Sequence, residues 1–241
     1  MASETTPSAI EHQLTLDILR GRYPVGSHLP TVRDLAARHG VNPGTIQRVV
    51  ARLETRGLVE ARQGSGLRVV DARENGDFSL VPYWLEATLD QPTRAAEILE
   101  EFLELRRLVA GRLLVKHREA ILAHTPRLRT LAAALAEAEG LEARREADLA
   151  FARELLRATG NLVGLAVLNT LAKVLEQLPE VATAMYDEPE ANAASMMRIL
   201  AALVAGGDDA ERTIGEATAE IDARTVKRFA AALRRRPKGA S

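Results

Sequence analysis

The sequence predicts a mainly α-helical protein, with an N-terminal winged helix-turn-helix that includes a small β-hairpin and a C-terminal antiparallel α-helical bundle. The first observation behind this prediction is residues 31–70, which read in order as a short helix, a turn, a second helix and a tight hairpin. The second is residues 93–233, where apolar residues recur at helical spacing almost throughout. Aromatic residues make up only 3% of the chain, so we expect an aliphatic core.

Composition allows two ordinary domains and excludes several classes of protein. The chain has 241 residues, of which 46% are hydrophobic, enough for a packed core in each half. It contains no cysteine, which excludes disulfides and thiolate chemistry and fits a reducing compartment. Residues 1–12 lack the basic and apolar runs of a signal peptide, and no stretch reaches about 18 uninterrupted apolar residues. We therefore expect a cytoplasmic protein with no membrane partner.

Positive charge is concentrated in two parts of the chain. The formal net charge is −1, yet residues 9–70 hold nine arginines against five acidic residues. A second basic concentration lies in the tail, residues 234–241, which we expect to be disordered. A basic module followed by a neutral-to-acidic body is typical of a DNA-binding domain attached to a separate function.

An apolar stripe and a capping pattern predict the first two helices. Apolar residues at helical spacing in 10–19 predict a helix that ends before a Pro- and Gly-rich connector, residues 21–30. Thr31 and Asp34 have the spacing of a capping box. A second, short helix therefore begins there, and Gly40 is suited to end it.

A third helix and a hairpin complete the N-terminal module. Asn42 is suited to cap this helix and Pro43 to begin it. Its apolar face consists of Ile46, Val49, Val50 and Leu53. Two short strands, residues 58–61 and 67–70, flank a Gly-rich tip at residues 63–66.

We assign the N-terminal module to residues 1–70, and the remaining chain divides into two regions. Residues 71–92 lose the periodicity and carry two prolines, so we expect a linker with one short helix near Trp84. Residues 93–233 follow as an all-α domain. Breaks in its pattern fall at residues 124–126, 139–140, 159–161, 178–189 and 206–208. They predict six or seven helices.

Residues 29–69 resemble the GntR family of bacterial transcription regulators over nearly the whole family module. The resemblance implies binding to a double-stranded DNA operator, through the short helix, the N-terminus of the second helix of the motif and the tip of the wing. The matching positions are Arg33, Asn42, Gly44, Thr45, Gln47, Arg48, Gly64, Ser65 and Gly66. Arginine suits guanine, glutamine suits adenine, and Asn and Thr suit phosphates.

Other residues of the module have plainer interpretations. Arg38, Arg52 and Arg56 are expected on a solvated face rather than at bases, and Arg62 and Arg68 at phosphates only. Thr45 could also be an ordinary surface residue of its helix. Residues 42–48 are nearer an Asn-Pro-x-Thr pattern than the pattern of fatty-acid-type members, so no operator sequence is carried over.

The C-terminal region resembles the effector domain of FadR-type regulators. Glu146–Ala152 and the turn Ala158–Asn161 carry this resemblance, together with Glu104–Arg107, which is similar to the family's first sensor helix. The resemblance implies an all-α bundle that binds a small effector and forms a homodimer.

Most members of this subfamily hold a divalent metal with one Asp and three His. Asp148 matches the Asp, whereas the His positions fall on Ala152, near Met196 and near Ala219. No His occurs after His124, and one carboxylate cannot assemble the site. We therefore expect no metal and a metal-free variant of the subfamily.

The run of residues 160–169 is similar to the metal-free branch, whose members respond to a fatty acyl-CoA. We expect four effector-binding residues: Arg106, Asp148, Asn161 and Asn169. Three of them have an alternative: Arg106 could pair with Asp148 or Glu104, Asn161 could cap a helix, and Asp148 could be structural. A different small organic acid or metabolite is the alternative effector.

These observations favour a regulator and not an enzyme. The helical half has no cysteine and no histidine after His124, so a convergent catalytic set is hard to assemble. A small-molecule binding module whose winged helix contacts protein remains as a third hypothesis.

Overall fold

The computed structural model describes residues 6–62 and 66–236. The chain divides into two compact units, one ending at Thr88 and the other beginning at Leu89. Both are dominated by α-helices, and the described sheet is a single two-stranded one, which confirms the predicted fold class.

The first unit contains the predicted helices and hairpin. Its elements are α1 (Pro7–Leu19), α2 (Val32–His39), α3 (Pro43–Thr55), β1 (Val59–Arg62), β2 (Gly66–Val69), α4 (Ala72–Asn75), a 3-10 turn (Phe78–Leu80) and α5 (Val81–Ala87). The strands β1 and β2 are antiparallel, and Val59 lies opposite Val69. The winged helix-turn-helix predicted from residues 31–70 is therefore present.

The capping residues act as the sequence predicts. The Thr31 hydroxyl accepts the Asp34 amide at 3.2 Å, and the Asp34 carboxylate accepts the Thr31 amide at 3.3 Å. Gly40 ends α2 with a φ of +65°, where a side chain would be strained. The Asn42 side chain accepts the Thr45 amide at 2.9 Å and so caps α3.

One apolar core holds this unit together. The most deeply buried side chains come from all three helices of the motif and from the start of the hairpin. They include Ile10, Leu14, Leu35, Ile46, Val49, Leu53 and Leu58. The apolar face of α3 is thus committed to the core, which fixes the opposite face toward solvent.

The predicted linker, residues 71–92, is wrong over most of its length. Ala72 and Leu80 belong to the apolar core of the first unit, and Leu80 is 0% exposed. The first two of its short elements, α4 and the 3-10 turn, are each capped by an acidic side chain: Asp71 accepts the Arg73 amide and Asp77 accepts the Ser79 amide. Elements as short as α4 and the 3-10 turn cannot show a helical period, so the pattern could not reveal them, whereas α5 is the short helix expected near Trp84.

Gly57 explains how this segment lies so close to the end of α3. A Cβ atom at Gly57 would lie 1.9 Å from the Asn75 carbonyl oxygen. Only glycine therefore allows α4 to pack against the turn after α3.

The second unit is a bundle of eight described helices rather than the predicted six or seven. They are α6 (Pro92–Lys116), α7 (Arg118–Leu122), α8 (Thr125–Glu137), α9 (Gly140–Thr159), α10 (Leu162–Gln177), α11 (Pro179–Met185), α12 (Pro189–Ala205) and α13 (Ala210–Arg234). The long helix α13 packs against α6, α11 and α12, and α8 packs against α9 and α12.

The break between α6 and α7 coincides with a contact to another helix. The chain leaves helical geometry at His117, with no Gly or Pro nearby to signal it. The next residue, Arg118, donates to the carbonyl oxygens of Leu203 at 2.5 Å and Val204 at 2.7 Å. The Arg118 guanidinium therefore satisfies carbonyl groups at the C-terminal end of α12. Helical periodicity in the sequence cannot reveal such a contact between distant segments.

The basic tail is ordered at its beginning. Arg234 is the last residue of α13, and Arg236 forms an ion pair with Glu180. The prediction of disorder from residue 234 is therefore wrong for residues 234–236, and residues 237–241 lie outside the described part of the chain.

Taken singly, none of the described helices is both long and apolar enough to cross a membrane. The consecutive helices α10 and α11 satisfy length and hydropathy only when taken together, and the chain bends by 106° between them.

The packing of Leu80 gives a test of the corrected boundary. We expect Leu80→Ala to destabilise the first unit by about 2–5 kcal/mol, because it leaves a cavity in the core. Val25→Ala is the control, since Val25 is 62% exposed. Denaturant unfolding of a fragment of residues 1–88 measures both. Equal stability of the two variants would contradict the assignment of residues 71–88 to this unit.

Candidate nucleic-acid interface and effector cavity

The N-terminal half of α3 presents most of the predicted DNA-contacting residues to solvent. Asn42, Gly44, Gln47 and Arg48 are all exposed, and Arg33 is exposed on α2. The cause is the burial of the other face of α3 in the core. The arrangement leaves amide, guanidinium and backbone groups available on one surface, as major-groove reading requires.

Thr45 does not belong to this exposed surface. It is 6% exposed, its hydroxyl donates to Asn42 Oδ1 at 3.3 Å, and it accepts from Arg48 Nη2 at 3.4 Å. The prediction of a DNA contact by its side chain is corrected: Thr45 positions the side chains of Asn42 and Arg48. Its spacing of four residues before Val49 was the signal that could have placed it on the buried face.

A buried carboxylate, which sequence reasoning missed, holds the C-terminal half of α3. Glu11 is 4% exposed and accepts from Arg52 Nη1 and from Arg56 Nη2, each at 2.7 Å. The Arg56 guanidinium also lies over the Tyr83 ring, 4.8 Å from its centroid. Both arginines are therefore paired with a carboxylate of the same unit. Arg52 stays 59% exposed, whereas Arg56 is only 21% exposed, so its expected place on a solvated face is wrong.

The wing is described only at its base. Gly64 and Ser65 lie outside the described residues, and the predicted contact Gly66 is exposed where β2 begins. Arg68, expected at phosphates, forms an ion pair with Glu60 across the two strands at 3.3 Å. Its charge is thus shared with a carboxylate at the base of the wing.

The second unit contains a cavity of about 130 Å³ between its helices. Most of its wall is aliphatic or aromatic. These residues include Val109, Leu113, Leu114, Phe151, Leu155, Leu168, Met185, Met196, Ile199, Ile214 and Ile221. Its polar part is formed by Arg106, Arg107, Asp148, Asn192 and Thr218. A cavity with an apolar body and a few polar groups is the usual form of a small-molecule site.

The two arginines of the wall share one carboxylate. Asp222 of α13 accepts from Arg106 Nη2 at 2.5 Å and from Arg107 Nη1 at 3.2 Å. We name these three residues the Arg–Asp–Arg triad. The predicted partners of Arg106 were Asp148 or Glu104. The actual partner lies 116 residues further along the chain, beyond the reach of local pattern.

Asp148 also lies in the wall and accepts a hydrogen bond from the Tyr186 hydroxyl at 2.7 Å. Loss of hydration raises the pKa of Asp148, although the Tyr186 bond and the Arg106 charge act in the opposite direction. Burial likewise raises the pKa of Asp222, against the attraction of Arg106 and Arg107. The cavity surroundings therefore disfavour negative charge.

Two predicted effector-binding residues do not line the cavity. Asn161 caps α10 by accepting the Gly164 amide at 2.7 Å, which was its alternative interpretation. Asn169 is exposed on α10. Three polar lining residues were missed, Arg107, Asn192 and Thr218, and the Asn192 amide donates to the Met185 carbonyl at 2.7 Å.

The donor set does not fit a metal. Ala152 and Met196 line the cavity at or near positions where the FadR-type pattern has His, and neither side chain offers a nitrogen. Within residues 6–62 and 66–236, no three His, Cys, Asp or Glu side chains are placed to hold a metal ion. His124 is instead bonded to Glu154 at 2.8 Å.

The raised pKa of Asp148 predicts a pH-dependent stability difference. Asp148 ionises near pH 3.8 when the protein is unfolded but only at a higher pH when it is folded. As the pH rises through this range, the folded state acquires a charge that its surroundings oppose, so the free energy of unfolding falls. Asp148→Asn avoids that loss. We expect its Tm to exceed that of the wild type by a few degrees at pH 8 and to match it near pH 4.

Differential scanning calorimetry across this range makes the measurement. Glu142→Gln, a change of an exposed carboxylate on the same helix, is the control. A Tm advantage of Asp148→Asn that does not grow with pH would contradict the interpretation.

Comparisons with known proteins agree with the N-terminal geometry. The family model for bacterial regulatory proteins of the gntR family matches residues 6–69. The chain is 31% identical over 221 residues to the uncharacterized HTH-type transcriptional regulator Rv0494 of Mycobacterium tuberculosis, covering 88% of this chain and 86% of that protein. It is 36% identical over 78 residues to the HTH-type transcriptional regulator Mce2R of the same species, covering 32% of each.

Solved structures give weaker likenesses. One, described by its role in controlling the Listeria monocytogenes agr system, aligns with a TM-score of 0.48 and 17% identity, over 94% of this chain and 99% of that chain. The match to the Mycobacterium tuberculosis regulator, by contrast, extends through both units of this chain. Together with the family model over the winged helix, it shows that the chain belongs to the gntR family of bacterial transcription regulators.

Proposed function

We propose that this DNA-binding regulator is a homodimeric, metal-free member of the FadR-like subfamily, controlled by a small molecule in the cavity of its α-helical unit. The observation that carries the proposal is the exposed N-terminal half of α3, with Gln47 and Arg48 outward and the buried Glu11 holding the other half. An effector cavity lined by apolar side chains supports the second part.

Base reading is assigned to two side chains of α3. Arg48 suits guanine and Gln47 suits adenine in the major groove. Gly44 has no Cβ, so the backbone at the start of the helix can approach a phosphate, where helix amides and the dipole favour an anion. Asn42 is occupied by capping, so its contribution to DNA is through the position of that backbone.

The size of the effector is proposed from the volume of the cavity. Its volume of about 130 Å³ is close to that of an engineered apolar cavity, ~150 Å³, that binds benzene. This size favours a small molecule over a long acyl chain, so the fatty acyl-CoA expected from the sequence is the second candidate, and it requires the helices to separate. Coupling of roughly 1–3 kcal/mol between the cavity and the operator is sufficient for regulation.

The homodimer is proposed from the family resemblance and from exposed apolar surface. Leu108, Leu162 and Val163 are 64%, 79% and 71% exposed on the second unit, which is surface available to a second copy. Two recognition helices in one dimer would match a near-palindromic operator.

The DNA assignment is tested at Arg48. We expect Arg48→Ala to lose about 5- to 150-fold in affinity, that is ~1–3 kcal/mol, for DNA selected from a random-sequence pool. Arg73→Ala is the matched control, because the Arg73 side chain is 84% exposed and outside α3. Electrophoretic mobility shifts at fixed salt give both affinities. Equal losses for the two variants would contradict base reading by Arg48.

The effector assignment is tested by filling the cavity. A panel of short alcohols, carboxylic acids and acyl-CoAs is screened for release of the selected DNA. We expect Ala152→Trp to bind this DNA like the wild type and to lose at least about tenfold in response, because its indole occupies cavity volume. The control is Ala166→Trp, at an exposed position of α10. Release from neither the wild type nor the control by any member of the panel would contradict effector control.

A further inference from the structure

The charged groups around the cavity already balance one another. Arg106, Arg107 and Asp148 line it, and Asp222 is bonded to both arginines. Among the described residues, these supply two guanidinium groups and two carboxyl groups. Both cations are thus committed to a carboxylate of the protein itself.

We propose, on the basis of the proposed effector function, that the cavity binds an uncharged, mainly apolar molecule with one hydrogen-bonding oxygen. This differs from the recognition of an organic anion or of a molecule with a highly charged head group. The relevant class is a small alcohol, ester or ketone.

An anion would be disfavoured by electrostatics. It would place a third negative group beside Asp148 and Asp222, in a region where lost hydration makes an unpaired charge costly. The guanidinium groups could serve it only by releasing Asp222, which is 3% exposed and would then be an unpaired buried charge. A cation would meet two arginines in the wall and is disfavoured in the same way.

An uncharged oxygen fits the polar part of the cavity. The Nε–H of Arg106 is buried and has no acceptor within the described chain. Two other lining side chains donate within the protein: the Asn192 amide binds the Met185 carbonyl, and the Thr218 hydroxyl binds the Ile214 carbonyl at 2.8 Å. One weak acceptor on the ligand can therefore be matched at Arg106 without a change of charge.

The apolar wall of the cavity favours hydrocarbon in the rest of the ligand. Ala152 and Met196 replace what would be imidazoles in a metal-binding pattern by a small and a flexible apolar side chain. Hydrocarbon of the ligand can therefore contact these two side chains.

The test uses three probes of equal chain length with the full-length protein: hexan-1-ol, hexanoate and hexylammonium. Isothermal titration calorimetry at pH 7.5 gives their affinities. We expect hexan-1-ol to bind at least about tenfold more tightly than either ion. Tighter binding of hexanoate, or no binding of any probe, would overturn the inference.

Two isosteric variants test the charge balance directly. Asp148→Asn and Asp222→Asn each remove one carboxylate and leave an excess positive charge, so we expect the ratio of hexanoate to hexan-1-ol affinity to rise at least about tenfold. Glu142→Gln removes an exposed carboxylate and should leave this ratio within about twofold. An unchanged ratio in a folded Asp148→Asn or Asp222→Asn variant would overturn the inference.

Failure of the inference and failure of the proposed function are distinguishable. Binding of hexan-1-ol without release of DNA by any panel compound contradicts effector control and leaves the charge preference intact. Release of DNA by hexanoate, with tighter hexanoate binding, contradicts the preference and leaves effector control intact.

Discussion

The buried carboxylate of Glu11 is the interaction on which the DNA-reading surface depends. It joins α1 to the second half of α3 through Arg52 and Arg56, while the apolar face of α3 packs in the core. A buried carboxylate with two cationic partners is strongly destabilised if one partner is lost, so the pair of bonds defines one orientation of the helix. Because this half of α3 is held, reading is left to its first two turns.

Buried ion pairs also occur in the second unit, but there they lie beside the cavity. There the Arg–Asp–Arg triad occupies the cations that an organic anion would need, and the neighbouring carboxyl of Asp148 has a raised pKa. In one unit, ion pairing fixes the position of a helix; in the other, it limits which ligands can enter. Both effects arise from carboxylates that have lost hydration and must keep their partners.

Much of the first unit could be predicted from sequence because its signals are local. Thr31, Asp34, Gly40 and Asn42 act within three residues of their partners, and capping chemistry identifies them. Apart from the short helix near Trp84, the folded segment after Val69 could not be predicted, because its elements have fewer than eight residues and depend on contact with Gly57 and the core. The exposed residues of α3 followed from periodicity, whereas burial of Thr45 was missed when the family motif was given more weight than its spacing.

The cavity was predictable in kind but not in detail. An aliphatic bundle with no histidine after His124 indicated an apolar site, and Arg106 and Asp148 do line the cavity. The partnership of Arg106 with Asp222 joins α6 to α13 across 116 residues, and no local pattern encodes it. Asn169 was chosen as a polar residue on an apolar helical stripe but faces solvent, and Asn161 caps α10, which was its alternative interpretation.

The most direct test of the account is NMR mapping of the protein with a DNA duplex selected from a random pool. The account predicts that the largest amide shifts fall on residues 42–48 and on Arg33, while the side-chain Nε–H signals of Arg52 and Arg56 stay close to their positions without DNA. Large shifts of those two arginines, with little change in residues 42–48, would contradict it.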